Sequence, residues 1–326
     1  MSELTFGIDI GGTNTKFGIV DRKGKVLFND RVRTREFETI ESLIDQVAQA
    51  LRDGMHDLGS NDTLVGIGVG APNGNFLTGT IENAPNLKWK GSIPLTTIIK
   101  KIFNVPVMVT NDANAAAVGE MIFGSAKGMK DFIVITLGTG LGSGIVCNGL
   151  VLNGKHGMAG ELGHTFVNPG VGRQCNCGKR GCLETYVSAT GIKRTVYKLL
   201  ADSLDDSELR DVSFDQLSTK MITAAAQRGD KVACEAFAYT GRILGMKLSD
   251  SVVHTDPEAI FLLGGLSLAG DFIFEPTIKH MEATLMPIFR GKVKILPSGL
   301  PNQVAPILGA SSLVWNYLEQ HQGIHA

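Results

Sequence analysis

The sequence predicts an α/β protein made of two lobes of similar design, with mixed sheets and a cleft between the lobes. Two observations lead to this fold class. Strands alternate with helices along the 326 residues. A unit of strand, glycine-rich loop, strand, turn and strand occurs twice, over residues 6–29 and again over residues 132–152. The repeat indicates that the two halves share one plan, and the length suits about two domains.

In the first half, each predicted element follows from the local pattern of apolar and turn residues. The sequence GGTNTK forms a polar loop after the first apolar strand, and Gly24 marks the turn before the third. Apolar residues at helical spacing from Ile40 to Leu58 predict an amphipathic helix. The predicted elements are strands at 6–10, 17–20 and 26–29, a helix at 40–58, a strand at 64–69, a helix at 93–103, a strand at 105–110 and an alanine-rich helix ending near residue 124.

The second half repeats this plan and then becomes rich in helices. Asn148 and Gly149 between apolar runs are a strong hairpin signal. The predicted elements are strands at 132–137, 144–147 and 150–152, helices at 188–200, 214–228 and 231–254, a strand at 260–263, a helix at 272–289, a strand at 293–296 and a helix at 305–320. We predict a small lobe over residues 1–117, completed by the terminal helix near 305–326, and a larger lobe over residues 118–304.

Composition narrows the classes of function. The 31 basic and 32 acidic residues are interspersed, and the formal net charge is −1. With positive and negative charges balanced in this way, the sequence shows no basic patch that would attract nucleic acid or an anionic membrane. The sequence MSELTFGIDIGG enters a strand without the features of a signal peptide, and no apolar run is long enough to span a bilayer. We expect a cytoplasmic protein with no nucleic-acid or membrane partner.

Four potential metal ligands lie close together in the sequence GELGHTFVNPGVGRQCNCGKRGCLET. They are His164, Cys175, Cys177 and Cys182. Zn²⁺ favours thiolate and imidazole ligands in a tetrahedral site, and four protein ligands leave no position for a catalytic water, so the predicted role is structural. A disulfide or a chance cluster of buried thiols is the alternative. Glu161 and Glu184 flank the set, and the metal would hold both carboxylates and His164 around one point.

Two glycine-rich loops occupy matching places in the duplicated unit. The first combines backbone N–H groups that no Cβ obstructs with threonine hydroxyls and a lysine, which suits phosphate oxygens. Its candidate residues are Asp9, Gly11, Gly12, Thr13, Asn14, Thr15 and Lys16. The second loop contributes Gly138, Thr139 and Gly140. A single loop of this kind is more often a plain hairpin, but two matched loops favour nucleotide binding, and neither fits the P-loop or dinucleotide-binding motif.

Taken together, the motifs resemble one family along essentially the whole chain. DIGGTNTK, ENAPNLKW, the ND of VTNDANAAAVGE, LGTGLGSGIV, GELGH and CNCGKRGCLE follow one another as in the ROK family of sugar kinases. The resemblance implies the duplicated actin/hexokinase-like, or ribonuclease H-like, fold. Within the family the chain most resembles the bacterial glucokinases. The first phosphate loop begins at residue 9, which leaves no room for the helix-turn-helix of the family's repressors. The fructokinases typically carry a histidine within the cysteine pattern.

The resemblance also implies roles for individual residues. Asp112 would be the general base toward the primary hydroxyl of a hexose that attacks the γ-phosphate of ATP, and Asp9 would hold Mg²⁺. The sugar would be bound by Asn86, Asn111, Asp112, Glu161, His164 and Glu184. Gly264 and Gly265 would form the turn that contacts adenosine. Each residue also has a plainer interpretation: Asp112 lies where a helix N-cap is expected, and Asn86 and Glu161 lie where turns are.

The expected function is therefore ATP-dependent phosphorylation of a hexose at its 6-hydroxyl, with glucose as the first choice and a structural Zn²⁺ beside ATP and Mg²⁺. Mannose, N-acetylmannosamine and fructose remain alternative acceptors. A non-catalytic sugar-sensing regulator would keep Glu161, His164 and Glu184 but would not need Asp112. Such kinases serve carbohydrate metabolism and glycolysis, and members of the family are commonly dimers or tetramers, so we expect a homo-oligomer.

The chain departs from the family pattern at two places. Residues 71–75, Ala-Pro-Asn-Gly-Asn, replace the usual proline-glycine turn followed by Val-Asp, which affects the loop beside the sugar site. Leu266 stands where a third glycine is usual after Gly264 and Gly265. We expect a slightly reshaped adenine pocket at that turn.

Overall fold

Helices and strands alternate as predicted in the computed structural model, which describes residues 2–59 and 62–322. The first part contains, in order, β1 (Glu3–Ile10), β2 (Asn14–Asp21), β3 (Val26–Arg33), α1 (Ile40–Asp57), β4 (Thr63–Gly70), β5 (Gly74–Asn75), β6 (Thr80–Glu82), β7 (Ser92–Ile93), α2 (Leu95–Lys100), β8 (Val107–Thr110) and α3 (Asp112–Ile122). The second part contains β9 (Phe132–Leu137), β10 (Leu141–Cys147), β11 (Leu150–Val151), α4 (Ala189–Asp202), α5 (Thr219–Gln227), α6 (Lys231–Thr255), β12 (Ala259–Leu263), α7 (Asp271–Thr284), β13 (Lys294–Pro297) and α8 (Ala305–Gln322).

The two main sheets have the same arrangement. The strand order is β3–β2–β1–β4–β8 in the first and β11–β10–β9–β12–β13 in the second. In each sheet, three strands form an antiparallel meander and two further strands run parallel to the first strand of that meander. The predicted duplication and the mixed character of the sheets are confirmed. A small antiparallel sheet, β5–β6–β7, was not predicted, because strands of two or three residues show no period.

Each lobe has its own apolar core. In the first lobe, β1 buries Leu4, Phe6, Ile8 and Ile10, and the apolar face of α1 packs on β2 and β3. The Thr39 side chain begins α1 in a capping box with Ser42. In the second lobe, α4, α5 and α7 gather around the long helix α6. Burial of each large apolar side chain contributes roughly 1.5–3 kcal/mol, so these cores hold the strand ends in fixed positions.

Some boundaries differ from the prediction for local reasons. The helix predicted at 214–228 begins at Thr219, because the Ser218 side chain accepts a hydrogen bond from Met221 N at 3.3 Å and caps it there. The helix predicted at 272–289 ends at Thr284, where Leu285 adopts an extended backbone shortly before Pro287. Among the residues described, no helix has the length and apolar character required to cross a membrane.

Helix α3 packs against both main sheets. It contacts β4 of the first sheet and β9 and β10 of the second. The approach to β10 is close, since a Cβ at Gly144 would lie 2.5 Å from Ala113 O and 2.7 Å from Ala117 Cβ. The predicted boundary between residues 117 and 118 falls inside this helix and stays a prediction. Helix α8 packs on β1, β4 and α3, and the completion of the small lobe by this helix stays a prediction, while residues 323–326 lie outside the described residues.

Candidate active site and metal centre

The first glycine-rich loop is the tight connection between β1 and β2. Gly11 N donates to Asn14 O at 3.0 Å, which closes the hairpin. The loop is also held from outside, because Arg35 Nε donates to Gly12 O at 3.2 Å. A Cβ at Gly12 would lie only 2.6 Å from Asn86 O, so a side chain there would push the two segments apart. Asn86 therefore packs directly against the loop.

The side chains of this loop divide into two groups. Thr15 is fully buried, and its hydroxyl is hydrogen-bonded to the Thr34 hydroxyl at 2.9 Å, so it supports the loop from beneath. Thr13 is exposed and Lys16 is half-buried, which leaves both for a ligand. Lys16 also stands opposite Asp9 in the β1–β2 register.

The second glycine-rich loop joins β9 to β10. Gly138 N donates to Gly140 O at 3.1 Å, and Gly138 O accepts from Ala189 N at the start of α4. Thr139 O accepts from the Thr190 hydroxyl at 3.1 Å. No atom lies within 4 Å of a Cβ built at Gly138, so this loop presents open backbone. Its geometry suits the close approach of a phosphate.

The turn at Gly264 and Gly265 lies beside the second loop. Gly264 has φ +110°, and a Cβ there would lie 2.6 Å from Leu137 O. Leu266 N donates to the same oxygen at 3.3 Å. The Leu266 side chain is fully buried in the second core, so it points into the protein rather than lining the turn. The departure at Leu266 thus has a packing explanation.

Asp112 is the first residue of α3, and Asn111 is its N-cap. Asn111 Oδ1 accepts a hydrogen bond from Ala113 N at 2.9 Å, as does Asp112 Oδ1. The interpretation of Asp112 as the N-cap is therefore wrong, because Asn111 occupies that position. A Cβ at Gly70 would lie 3.5 Å from Asp112 Cα and 3.7 Å from Asp9 Oδ1, which places both acids beside the end of β4.

Burial and mutual repulsion perturb the acids at this point. The pKa of Asp9 is raised to about 7, chiefly by burial and then by the charge of Asp112, while Lys16 lowers it. Asp112 keeps exposed surface, yet the protein packed around its carboxyl group raises the pKa of that group by burial. Burial also raises the pKa of Glu161; His164 opposes this, and Asp112 and Glu184 add to it. The structure thus brings these acids and His164 within electrostatic reach of one another.

Glu184 connects the second loop with the cysteine cluster. Its Oε2 accepts a hydrogen bond from Leu141 N at 3.1 Å, and a Cβ at Gly140 would overlap the same oxygen. Its Oε1 lies 3.6 Å from Cys175 Sγ. A change in the cluster would therefore reach the loop through a single side chain.

The predicted metal ligands converge in space. One ligand atom from each lies within 4.8 Å of the others, and the residues are His164, Cys175, Cys177 and Cys182. Cys177 Sγ and Cys182 Sγ are 3.7 Å apart, and His164 Nδ1 is 3.7 Å from Cys175 Sγ. Two sulfur ligands at 2.3 Å from one tetrahedral ion would be about 3.8 Å apart, so the set fits Zn²⁺. All five cysteines are free, and the 3.7 Å between Cys177 Sγ and Cys182 Sγ is longer than a disulfide bond, so the arrangement favours a metal over the disulfide alternative.

Two further residues hold neighbouring segments together and were not identified from the sequence. Arg173 donates from the cysteine loop to the backbone oxygens of Thr185 and Gly191, both at 2.9 Å, and lies over the Tyr186 ring. Glu120 on α3 is fully buried and accepts backbone hydrogen bonds from the loops at residues 125 and 299–300. A lone arginine in a loop and a glutamate after an alanine run carry no sequence signal for these contacts.

The raised pKa of Asp9 gives a prediction for stability. The folded protein keeps a proton that the unfolded chain releases between about pH 4 and pH 7, so stability decreases across this window as pH rises. Without nucleotide or metal, Asp9→Asn should raise the free energy of unfolding at pH 8, and the gain should shrink at pH 5. Urea unfolding at both pH values measures this, with the exposed Asp215→Asn as control. An equal effect at both pH values would contradict it.

Fold and site together define the class of protein. The two lobes repeat one design, and in each a glycine-rich loop joins the first two strands of the main sheet. Acidic residues gather at the end of the first sheet. This arrangement is the actin/hexokinase-like fold. The family model described as ROK family matches residues 5–316. The chain belongs to the ROK family.

Glucokinases of this family are similar to the chain over nearly their whole length. The glucokinase of Halalkalibacterium halodurans is 36% identical over 317 residues, covering 94% of each chain. The glucokinase of Streptomyces coelicolor is 36% identical over 315 residues, covering 95% of this chain and 97% of the relative. The structure of a ROK family glucokinase from Streptomyces griseus in complex with glucose and AMPPNP superposes with a TM-score of 0.80 at 34% identity, covering 95% of this chain and 98% of the other.

Proposed function

We propose that this chain is an ATP-dependent kinase that transfers a phosphoryl group to the 6-hydroxyl of glucose. The relatives with 36% identity are glucokinases, and the similar Streptomyces griseus structure contains glucose together with AMPPNP, an analogue of ATP. The observation that carries the proposal is the placement of Asp112, at the start of α3 and within electrostatic reach of Glu161.

Asp112 has the properties of a general base. Its pKa is raised by burial, which brings its affinity for a proton closer to that needed at neutral pH. In the proposed reaction, Asp112 accepts the proton of the 6-hydroxyl while the sugar oxygen forms a bond to the γ-phosphorus of ATP. The bond between that phosphorus and the bridging oxygen breaks, and ADP leaves. Asn111 caps the helix, so Asp112 is not needed for capping.

Glu161, His164 and Glu184 are proposed to bind the sugar hydroxyls. A carboxylate accepts hydrogen bonds from two adjacent hydroxyls. His164 faces Cys175 with Nδ1, so Nε2 remains for a hydrogen bond to the sugar. Zn²⁺ would fix the imidazole in this orientation, which is a structural task.

The two loops are proposed to hold the nucleotide, with the open backbone at Gly138 and the side chains of Thr13 and Lys16 toward phosphate. Asp9 is the proposed residue for holding Mg²⁺, and a bound Mg²⁺ would neutralise phosphate charge. The raised pKa of Asp9 fits this role, because a divalent cation would offset the cost of ionising a buried carboxyl group. Gly264 and Gly265 would accept the adenosine end.

The proposal predicts that ADP release from Mg-ATP depends on a hexose. A panel of glucose, mannose, fructose and N-acetylmannosamine, read by ADP release, should show the highest kcat/KM for glucose. Oxidation of the product by glucose-6-phosphate dehydrogenase would identify the phosphorylated hydroxyl. A higher kcat/KM for another sugar would assign that sugar as the acceptor. ADP release at the same rate with and without every sugar would overturn the proposal.

We also propose that the protein is cytoplasmic and forms a homo-oligomer, either a dimer or a tetramer. Met246 and Val253 are exposed apolar residues seven positions apart on one face of α6, and we propose this face as part of the contact between chains. Light scattering should give a mass of two or four chains, and a single-chain mass would contradict this.

A further inference from the structure

Asn75 connects two segments that are far apart in the sequence, and neither glycine-rich loop nor the metal centre uses it. Its side chain is 3% exposed. Asn75 Nδ2 donates to Glu82 Oε1 at 2.8 Å and to the backbone oxygen of His156 at 2.9 Å, and Oδ1 accepts from Leu77 N at 2.9 Å. Both amide hydrogens are therefore used within the protein. The side chain is suited to holding backbone in place rather than to binding a ligand.

Residues 153–160, the His156 loop, belong to the second lobe and lead directly to Glu161. At one end of the loop, Asn153 O accepts from Ala159 N at 3.1 Å. At the other end, the Ser143 hydroxyl donates to Gly160 O and accepts from Leu162 N at 3.2 Å. Asn75 holds the middle of the loop from the first lobe, through the His156 oxygen.

Gly157 allows the His156 loop to pack closely against the Asn75 side chain. Its φ is +75°, a conformation that L-residues rarely adopt, and it is buried. A Cβ at Gly157 would overlap Asn75 Oδ1 and would lie 2.7 Å from Asn75 Cγ. The loop therefore approaches the carboxamide as closely as a backbone without a side chain allows.

We propose that Asn75 is a positioning residue that fastens the His156 loop to the first lobe and thereby holds Glu161 in place for the sugar. This rests on the proposed function, in which Glu161 binds a sugar hydroxyl. The hydrogen bond from Asn75 to the His156 oxygen is already present in the protein without substrate. Its loss should therefore weaken binding of the sugar and leave the rate of phosphoryl transfer unchanged. The predicted signature is a higher KM for glucose, with the kcat and the KM for ATP retained.

Asn75→Asp tests the proposal with little change in shape. It replaces the donor with a carboxylate oxygen, which would repel Glu82 Oε1 and the His156 oxygen alike. We expect KM for glucose to rise roughly tenfold, as for an equilibrium that loses one buried hydrogen bond, while kcat stays within about twofold. Because Lys155 is exposed in the His156 loop, trypsin cleavage after Lys155 should become faster.

Glu82→Gln separates the two hydrogen bonds of Asn75. Alone, it keeps an oxygen that accepts from Asn75, so KM and cleavage should match those of the unmodified chain. In the double variant with Asn75→Asp, the introduced amide can donate to the introduced carboxylate, which restores the bond within the first lobe only. We expect the double variant to keep the high KM and the fast cleavage. Recovery of both values would overturn the proposal, as would unchanged cleavage in Asn75→Asp.

Gly157→Ala tests the contact from the other side, and it serves if Asn75→Asp does not fold. It should produce the same rise in KM and in cleavage after Lys155. Gly149→Ala is the matched control, because Gly149 has nearly the same φ, +76°, and a Cβ there meets no atom within 4 Å. Equal effects from both glycine variants would assign the result to backbone strain and contradict the proposal. Cleavage is independent of activity, so faster cleavage in a chain that phosphorylates no sugar would refute only the proposed function.

Discussion

Asp112→Asn is expected to reduce kcat roughly a hundred- to ten-thousandfold, the usual contribution of a general base. Asparagine has nearly the same shape and can still accept from Ala113 N, but it cannot take the proton of the sugar hydroxyl. Glucose affinity, measured by calorimetric titration, should change little, because the proton moves only as the new bond to phosphorus forms. Steady-state kinetics with Mg-ATP gives kcat directly.

The structure allows catalysis to be separated from helix capping at this position. Asn111 is the N-cap, so Asp112→Asn should not weaken helix capping, and because burial raises the pKa of Asp112, removing its charge should raise the free energy of unfolding at neutral pH. Asn111→Ala should instead cost about 0.5–2 kcal/mol of stability, because the helix loses its N-cap side chain and Ala113 N keeps only Asp112 Oδ1 as an acceptor. Near-normal kcat in Asp112→Asn would mean that another group accepts the proton.

Cys182→Ser should remove zinc, stability and activity together. Cys182 is fully buried, with its sulfur 3.7 Å from that of Cys177, and a serine hydroxyl is a poor replacement for a zinc-bound thiolate. Structural zinc supplies folding free energy, so the free energy of unfolding should fall by on the order of several kcal/mol. Activity should follow, because Glu184 is two residues away and holds the Leu141 N–H of the second loop.

Elemental analysis and thermal unfolding, with and without a chelator, measure these effects. Purified protein should contain one Zn²⁺ per chain, and chelator should lower the melting temperature of the original chain but not of Cys182→Ser. Cys147→Ser is the control, since Cys147 is half-buried outside the cluster and the zinc content should stay unchanged. An active enzyme without zinc would contradict the assignment.

The elements that could be predicted from the sequence are those with a long regular spacing of apolar residues or with a strong local motif. The meanders beginning at β1 and β9 and the ligand set around His164 fall in this group, because alternation, the Asn148-Gly149 turn and the cysteine spacing are all local. The convergence of Asp9 and Asp112 near Gly70 could be expected only through the family resemblance, because parallel pairing of β1, β4 and β8 brings distant strand ends together.

Contacts between distant segments could not be predicted. Asn75 and His156 are 81 positions apart, and Glu120 and Ser298 are 178 positions apart. Neither pair has a spacing pattern, since each depends on how two separately formed units pack. The N-cap at Asn111 was also missed: both Asn and Asp are good caps, and only the backbone at residue 111 decides between them.

The position of α8 has a consequence for biosynthesis. The backbone of this helix rests directly on the first sheet, where Cβ atoms at Gly7 and Gly68 would overlap Ile307 O and Ala310 O, and Thr5 is hydrogen-bonded to Ser311 across 306 positions. During synthesis, the face of β1 and β4 that contains Gly7 and Gly68 stays uncovered until α8 leaves the ribosome. The first lobe is therefore synthesised first but is among the last parts of the protein to finish folding. Contacts between residues so far apart in the sequence slow folding and lengthen the time in which a nascent chain depends on chaperones.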